Sequence, residues 1–365
     1  MTTGTKTRTI AAQMVEVGRI ECVEADVEPL DDGEVMVRNH YASVCGSDLH
    51  VVCAGVLAPP PPAAPGFPGH EGVGTVTDSR DPRWSPGDRV LCVPDAADGR
   101  CFAALGRISG DRLLRLPAAP HPARDARPTD ARPTDARPNH ETAPTAQPSD
   151  LELLMAQQLG TVIYARHVRP HDPTGETVVV VGQGSAGLFF TWLLRRAGAG
   201  TIIVADRSAA RLELARSWGA DVAVHVPHDR LEVAVADLTG GRGADYVVEA
   251  VGSSETLLAT PGLVRVEGEL LWFGLPDTST PVPFDFSGFF RRRLRASTVW
   301  GAQQEQGLRC FAVALDTIAR GDLDVTPLLS HVVGIERVGE AFEMAHDPVA
   351  SGALKVSLDL GADST

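Results

Sequence analysis

The sequence predicts an α/β protein in which a β-rich unit is joined to a doubly wound parallel sheet. Three observations carry this. The first third holds short strand-like runs bounded by Gly, Pro and Asp, such as GVGTVTD and GDRVLCV, the pattern of a small barrel or sandwich. After Leu151, strand-like runs alternate with helical spacing, which implies parallel strands joined by crossover helices. Between the two lies a stretch with no apolar periodicity.

In chain order, EVMVRNHYASVCGSD begins as an alternating strand, and GVGTVTD and GDRVLCV add short ones. From Ala118 to Asp150 the chain is dominated by Pro, Ala, Arg, Asp and Thr, with ARPTD at Ala126–Asp130 and again at Ala131–Asp135. Such a segment cannot bury enough surface to offset the entropy of ordering it, so 118–150 is expected to be a low-complexity surface loop. Its arginines and aspartates nearly cancel, which gives no electrostatic hold on a partner. LELLMAQQLGTVIYARHV then has helical spacing. ETVVVVGQGSAGLFFTWLLRRAGAGTIIVADRS reads as strand, glycine turn, helix and second strand. RLELARSWG is a helix, and ADYVVEAVG and GELLWFGLP are further strands. From about Arg295 the alternation is expected to end, with SGALKVSLDL as a last strand returning to the first unit.

Composition sets the outer limits. A chain of 365 residues, 43% hydrophobic and 22% charged, suffices for two domains with real cores. No run of 18 apolar residues exists, so no membrane span is expected. The first ten residues are polar, without the apolar core of a secretory signal. A net charge of −14 argues against nucleic acid as a partner. The six cysteines form no C-x-x-C pair, and a chain this long needs no disulfide staples. A reducing, cytoplasmic setting is expected.

Gly182-Gln-Gly184-Ser185-Ala186-Gly187 follows the β-branched run Val178–Val181 and opens a helix, the context in which G-x-G-x-x-G binds a dinucleotide. Gly182 permits the tight turn, Gly184 lets backbone approach a pyrophosphate at the helix N-terminus, and Gly187 allows close helix–strand packing. Asp206 ends the next strand, 24 positions after Gly182, where a carboxylate grips the adenosine ribose hydroxyls and repels a 2′-phosphate. NAD is therefore expected over NADP. Arg207 is the opposing signal, because an arginine there pairs with a 2′-phosphate.

Cys45-Gly-Ser47-Asp48-Leu-His50 is followed by Gly69-His70-Glu71-Gly72. Thiolate, imidazole and carboxylate are the ligand types of a catalytic zinc, which keeps one position open. Singly, such residues are ordinary core or satisfied polar groups; it is the combination that points to a metal.

CGSDLH, then GHEGVG, then GDRV, then a G-x-G-x-x-G unit resembles the zinc-dependent medium-chain alcohol dehydrogenases, in particular their sorbitol, polyol and threonine dehydrogenase branch. The match covers almost the whole chain outside 118–150. The resemblance implies a GroES-like catalytic domain at 1–152 and 298–365, split around a Rossmann domain at 153–297, with the active site between them. It further implies Cys45 and His70 as zinc ligands. Glu71 is implied as a third ligand or as a residue exchanging with water, and Asp48 as the group orienting His70. Ser47 and His50 become the proton path, Thr161 faces the nicotinamide, Arg211 sits at the adenosine ribose and Lys355 near the pyrophosphate. A homo-oligomer, dimer or tetramer, is implied, with RASTVWGA as an edge strand for pairing.

Two departures stand out. The family's structural zinc lobe needs four closely spaced cysteines after GDRV, and this stretch has only Cys92 and Cys101, so one catalytic zinc and no structural zinc are expected. Where the polyol branch has Glu-Pro, this chain has Gln157-Gln158, placing a neutral amide beside the metal. The expected function is zinc-dependent interconversion of a secondary alcohol (a polyol, a cyclitol or a specialised metabolite) and its ketone with NAD. The alternatives are a zinc-free reductase of C=C or C=N bonds and a non-catalytic dinucleotide-binding sensor.

Overall fold

A computed structural model describes residues 7–95, 98–117 and 147–361. The repeat-bearing stretch 118–146 lies outside the described residues; the end of the expected loop does not, because Asp150 opens the helix Asp150–Val168. Ser149 caps that helix, with Glu152 completing a capping box, so the polar run hides a helix start rather than continuing the loop.

The six-stranded sheet has the order Val222–His225, Thr201–Asp206, Thr177–Val181, Ala244–Glu249, Val264–Trp272, Arg295–Thr298. Every pairing in it is parallel. The strands read as unbroken apolar runs because both faces are covered: Val178, Val180, Ile202 and Val204 enter one core, while Val179, Val181, Ile203 and Ala205 enter another. Order reverses between Thr177–Val181 and Ala244–Glu249, and a crevice opens at the carboxyl ends of strands at such a switch.

The alternation was expected to stop near Arg295. Instead Arg295–Thr298 pairs in parallel with Val264–Trp272 as the sheet's last strand. It is a short edge with mostly exposed residues, so it carries no hydrophobic run to read.

The second sheet is seven-stranded. Glu34–Val44 pairs antiparallel with Gly72–Ser79, with Leu105–Ser109 and with the C-terminal Val356–Asp359. The chain's last strand thus returns to its first unit. A separate ribbon joins Thr7–Glu16 to Arg19–Val27. The helix Asp150–Val168 runs between the two units and packs closely on Arg309–Ala319. A Cβ on Gly160 would overlap the Phe311 ring and backbone, so a glycine is needed there despite its low helix propensity. Among the described residues no helix is long and apolar enough to cross a membrane.

Candidate active site

Cys45 lies where the strand Glu34–Val44 becomes the helix Gly46–Ala54. It acts as the helix N-cap: its sulfur accepts from the Asp48 amide, and the Asp48 carboxylate accepts from the Cys45 amide at 2.9 Å. One turn of capped helix therefore aims Cys45, Ser47 and Asp48 together. Ser47 Oγ lies 2.7 Å from Cys45 Sγ. His70, on the loop before Gly72–Ser79, places Nε2 3.4 Å from Cys45 Sγ and Nδ1 3.1 Å from Asp48 Oδ1. One ligand-type atom from each of Cys45, Asp48 and His70 lies within 4.8 Å of the others, and all three residues are buried.

The donor set suits a cation. Glu71 Oε1 and Gln157 Oε1 are buried acceptor oxygens without a hydrogen-bond partner, a costly condition unless positive charge is at hand. Burial pushes the Cys45 thiol up, with Asp48 adding to it. Burial works against a proton on His70, but Cys45 and Asp48 outweigh it and hold the imidazole well above its ordinary value. Thiolate and imidazole nitrogen suit zinc, and the Nδ1–carboxylate contact is the usual way a ligating imidazole is oriented.

Glu71 has a partner that sequence spacing does not announce. It was expected beside the metal, and Lys355 near the pyrophosphate. The structure joins them: Lys355 Nζ donates to Glu71 Oε2 at 2.7 Å, with side chains 3% and 1% exposed. Ser43 Oγ donates to the same oxygen. Only Oε2 is engaged in this way; Oε1 has no partner, and Glu71 lines the same cavity as Cys45 and His70, while the tight three-residue cluster is Cys45, Asp48 and His70. Spacing in sequence could not show the Glu71–Lys355 contact, because that pair spans 284 positions.

Gln157 Nε2 donates to the His70 carbonyl at 3.2 Å, so the amide that replaces the expected acid braces the backbone of His70. Thr161, one turn on, donates to the Gln157 carbonyl at 3.1 Å. His50 is half-buried, with Nδ1 unpartnered; burial lowers its pKa, against raising contacts from the Leu275 and Pro276 backbone.

The glycine turn matches the physics expected of it. Gly182 has φ +88°, and a Cβ there would come 2.6 Å from Val251. A Cβ on Gly187 would overlap the Gly182 carbonyl. Gly184 caps the helix Ser185–Arg196, and only the Arg211 guanidinium comes near it, at 4.0 Å from the Cβ position. Arg211 also donates to the Ala353 carbonyl at 3.2 Å. It therefore leans over the turn, beside the place expected for the pyrophosphate. Asp206 accepts from the Gln183 amide at 2.6 Å and the Ser208 amide at 2.8 Å, while Arg207 is exposed.

A cavity of about 930 Å³ joins the two halves, touching Cys45, Ser47, His50, His70 and Gln157 at one side and Gly184, Ser185 and Ala186 at the other. Gln158, noted in the sequence only as half of the Gln157-Gln158 departure, bridges them: Ser185 Oγ donates to its side chain at 3.3 Å. Trp272, Phe284 and Trp300 also line the cavity. No motif marks them, since they lie on a strand end and in loops far from CGSDLH.

Comparison with known proteins agrees with this geometry. Residues 31–111 match the alcohol dehydrogenase GroES-like domain, and residues 186–318 match the zinc-binding dehydrogenase domain. The chain is 26% identical over 350 residues to a sorbitol dehydrogenase of Bacillus subtilis (strain 168), covering 92% of this chain and 93% of that one. Its fold is shared with L-idonate 5-dehydrogenase of Escherichia coli str. K-12 substr. MG1655, at TM-score 0.74, 19% identity, and coverage of 97% and 99%. It is shared equally with a zinc-binding dehydrogenase from Sinorhizobium meliloti 1021 bound to NADP, at TM-score 0.75, 19% identity, and coverage of 97% and 100%. With both domains matched in order and the Cys45–His70 pair and glycine turn facing one cavity, the chain belongs to the zinc-dependent medium-chain alcohol dehydrogenase family.

Proposed function

We propose that this chain is an NAD-linked, zinc-dependent dehydrogenase that interconverts a secondary alcohol and its ketone. The observation that carries the reading is the convergence of Cys45, Asp48 and His70, amid unpartnered buried oxygens, at one side of a cavity whose other side is the glycine turn. Cys45 and His70 would hold the zinc, and Asp48 would fix the His70 ring through Nδ1. When bound, zinc polarises the substrate oxygen and the nicotinamide exchanges hydride with the carbinol carbon. The chain's own groups handle the proton. Ser47 Oγ stands at the ligand sulfur, where it can take the hydroxyl proton, and His50 passes it outward. Gln157 holds the His70 backbone while leaving its oxygen to the cavity.

The preference for NAD rests on Asp206. The solution unit is a homo-oligomer joined along the edge strand Arg295–Thr298, near which Phe286 and Phe290 are 67% and 70% exposed. Light scattering on the purified chain tests that assembly.

Elemental analysis and a coupled activity assay test the function. One zinc per chain is expected, and Cys45→Ser loses both zinc and turnover. Asp48→Asn keeps the ligand atoms and weakens zinc affinity about 10–100-fold, the usual effect of removing an orienting carboxylate. A protein that binds no zinc after reconstitution yet reduces C=C or C=N bonds overturns the reading.

A further inference from the structure

The cavity's polar groups sit mainly at the zinc site and the glycine turn, and much of the remaining wall is apolar. Trp272, Phe273, Leu275, Phe284, Val299 and Trp300 all line it. We infer that the substrate is a secondary alcohol whose carbinol carbon bears a bulky apolar group, aryl or extended alkyl, rather than a chain of further hydroxyls. This rests on the dehydrogenase reading above and narrows it.

The apolar wall is braced. Trp272 donates Nε1 to Thr260 Oγ1 at 3.3 Å, which commits its one polar atom away from any ligand. Its ring meets Phe284 edge-on at 6.0 Å and stacks with Phe289 at 6.5 Å, and Phe284 meets Phe289 at 5.5 Å. Phe273 is held edge-on by Phe190 at 5.0 Å. Aromatic contacts of this kind fix the rings in place. Phe284 and Trp300 nonetheless keep 41% and 61% of their surface exposed while lining the cavity. Apolar surface left wet in this way is what an apolar ligand covers with gain.

A polyol fares worse here. Every extra hydroxyl leaves water and needs a partner, and each one buried unpaired costs about ten-fold or more in affinity. The faces of Trp272, Phe273, Phe284 and Trp300 offer none. Of the two aspartates that touch the cavity, Asp95 is already engaged by Arg112 at 3.1 Å, which leaves Asp98, Thr298, Gln303 and Gln304 as the polar side chains away from the zinc site and the glycine turn, fewer than a polyol's hydroxyls and their lone pairs demand.

The test uses the zinc-loaded full chain with NAD and with NADP. The substrates are 2-propanol, 2-butanol, 2-hexanol, 2-octanol, 1-phenylethanol, sorbitol and xylitol. We expect kcat/KM to rise about four-fold per added methylene along the alkanol series. We also expect 1-phenylethanol to exceed either polyol by about a hundred-fold. Trp300→Ala, at a position 61% exposed, lowers the ratio of kcat/KM for 1-phenylethanol to that for 2-propanol about ten-fold, with an unchanged melting temperature as the check on folding. Calorimetry with acetophenone gives a readout independent of turnover, with binding showing a negative heat-capacity change and weakening in Trp300→Ala. Sorbitol or xylitol preferred over 1-phenylethanol, or no dependence on alkyl length, overturns the inference and leaves the dehydrogenase reading standing. No turnover of any alcohol with either nucleotide overturns the dehydrogenase reading. In that event acetophenone binding sensitive to Trp300→Ala still supports the apolar site, and absence of binding heat at every temperature across a series of about 10–40 °C overturns it.

Discussion

Replacing Lys355 by Met removes an ammonium that is 3% exposed and leaves the Glu71 carboxylate, 1% exposed, with Ser43 as its remaining donor. Glu71 Oε1 already lacks a partner, so the variant strands a buried charge. Breaking one side of a buried pair typically costs about 3–5 kcal/mol. At about 2–4 °C per kcal/mol for domains of 150–250 residues, the melting temperature should fall by roughly 6–20 °C. Glu71→Gln strands the ammonium instead and should lose a similar amount. The double variant Lys355→Met with Glu71→Gln removes both charges and should recover most of the loss, the coupling expected of groups in direct contact. Differential scanning calorimetry on the four proteins completes the cycle, and zinc analysis runs beside it. The same experiment separates two roles for Glu71. As the partner of Lys355, its loss lowers stability and leaves zinc in place. As a zinc ligand, its loss strips zinc as Cys45→Ser does. Additive melting shifts, or zinc lost from Glu71→Gln, would refute the ion-pair assignment.

Three further outcomes are expected. Asp206→Ala should weaken NAD binding and relax discrimination against NADP, measured by fluorescence titration; an unaltered protein that binds NADP more tightly would show that Arg207 outweighs Asp206. Burial raises the Asp150 carboxyl, but His40 and Arg89 outweigh it and hold the group below its ordinary value. Its folded pKa is thus lower than its unfolded one, so its stabilisation is present above about pH 3.9 and is lost as pH falls through the folded value. Thermal melts should show this acid loss in the unaltered protein and a shallower one in Asp150→Asn. Finally, replacing residues 118–146 with a short Gly/Ser linker should leave the melting temperature and zinc content nearly unchanged. Arg89 holds both the Pro117 carbonyl and Asp150, so the two ends are already brought together, and each doubling of loop length costs only about 0.6 kcal/mol.

Much of the fold was legible because its signals are local. A run of valines buried on both faces, a glycine that must take φ +88°, and the helical spacing after Leu151 each express themselves within a few residues. The segment Arg295–Thr298 was read as an edge for subunit pairing and not as the last parallel strand of the sheet, for the complementary reason: an exposed edge imposes no pattern. The site divides in the same way. Cys45 and Asp48 share one capped helical turn, so their convergence was written into six consecutive residues.

By itself, then, the sequence determined the parallel sheet and the tight glycine turn, because periodicity and backbone sterics act over short stretches, and ligand chemistry together with a family resemblance put Cys45 with His70. Only the tertiary structure decided that Glu71 belongs to Lys355, that Arg211 leans over Gly184, that Gln157 braces His70, and that Trp272, Phe284 and Trp300 wall the cavity. Each of these joins residues far apart in the chain. A buried charge or an aromatic face takes its partner from whatever the folded path brings within a few ångströms, and local pattern does not encode that path.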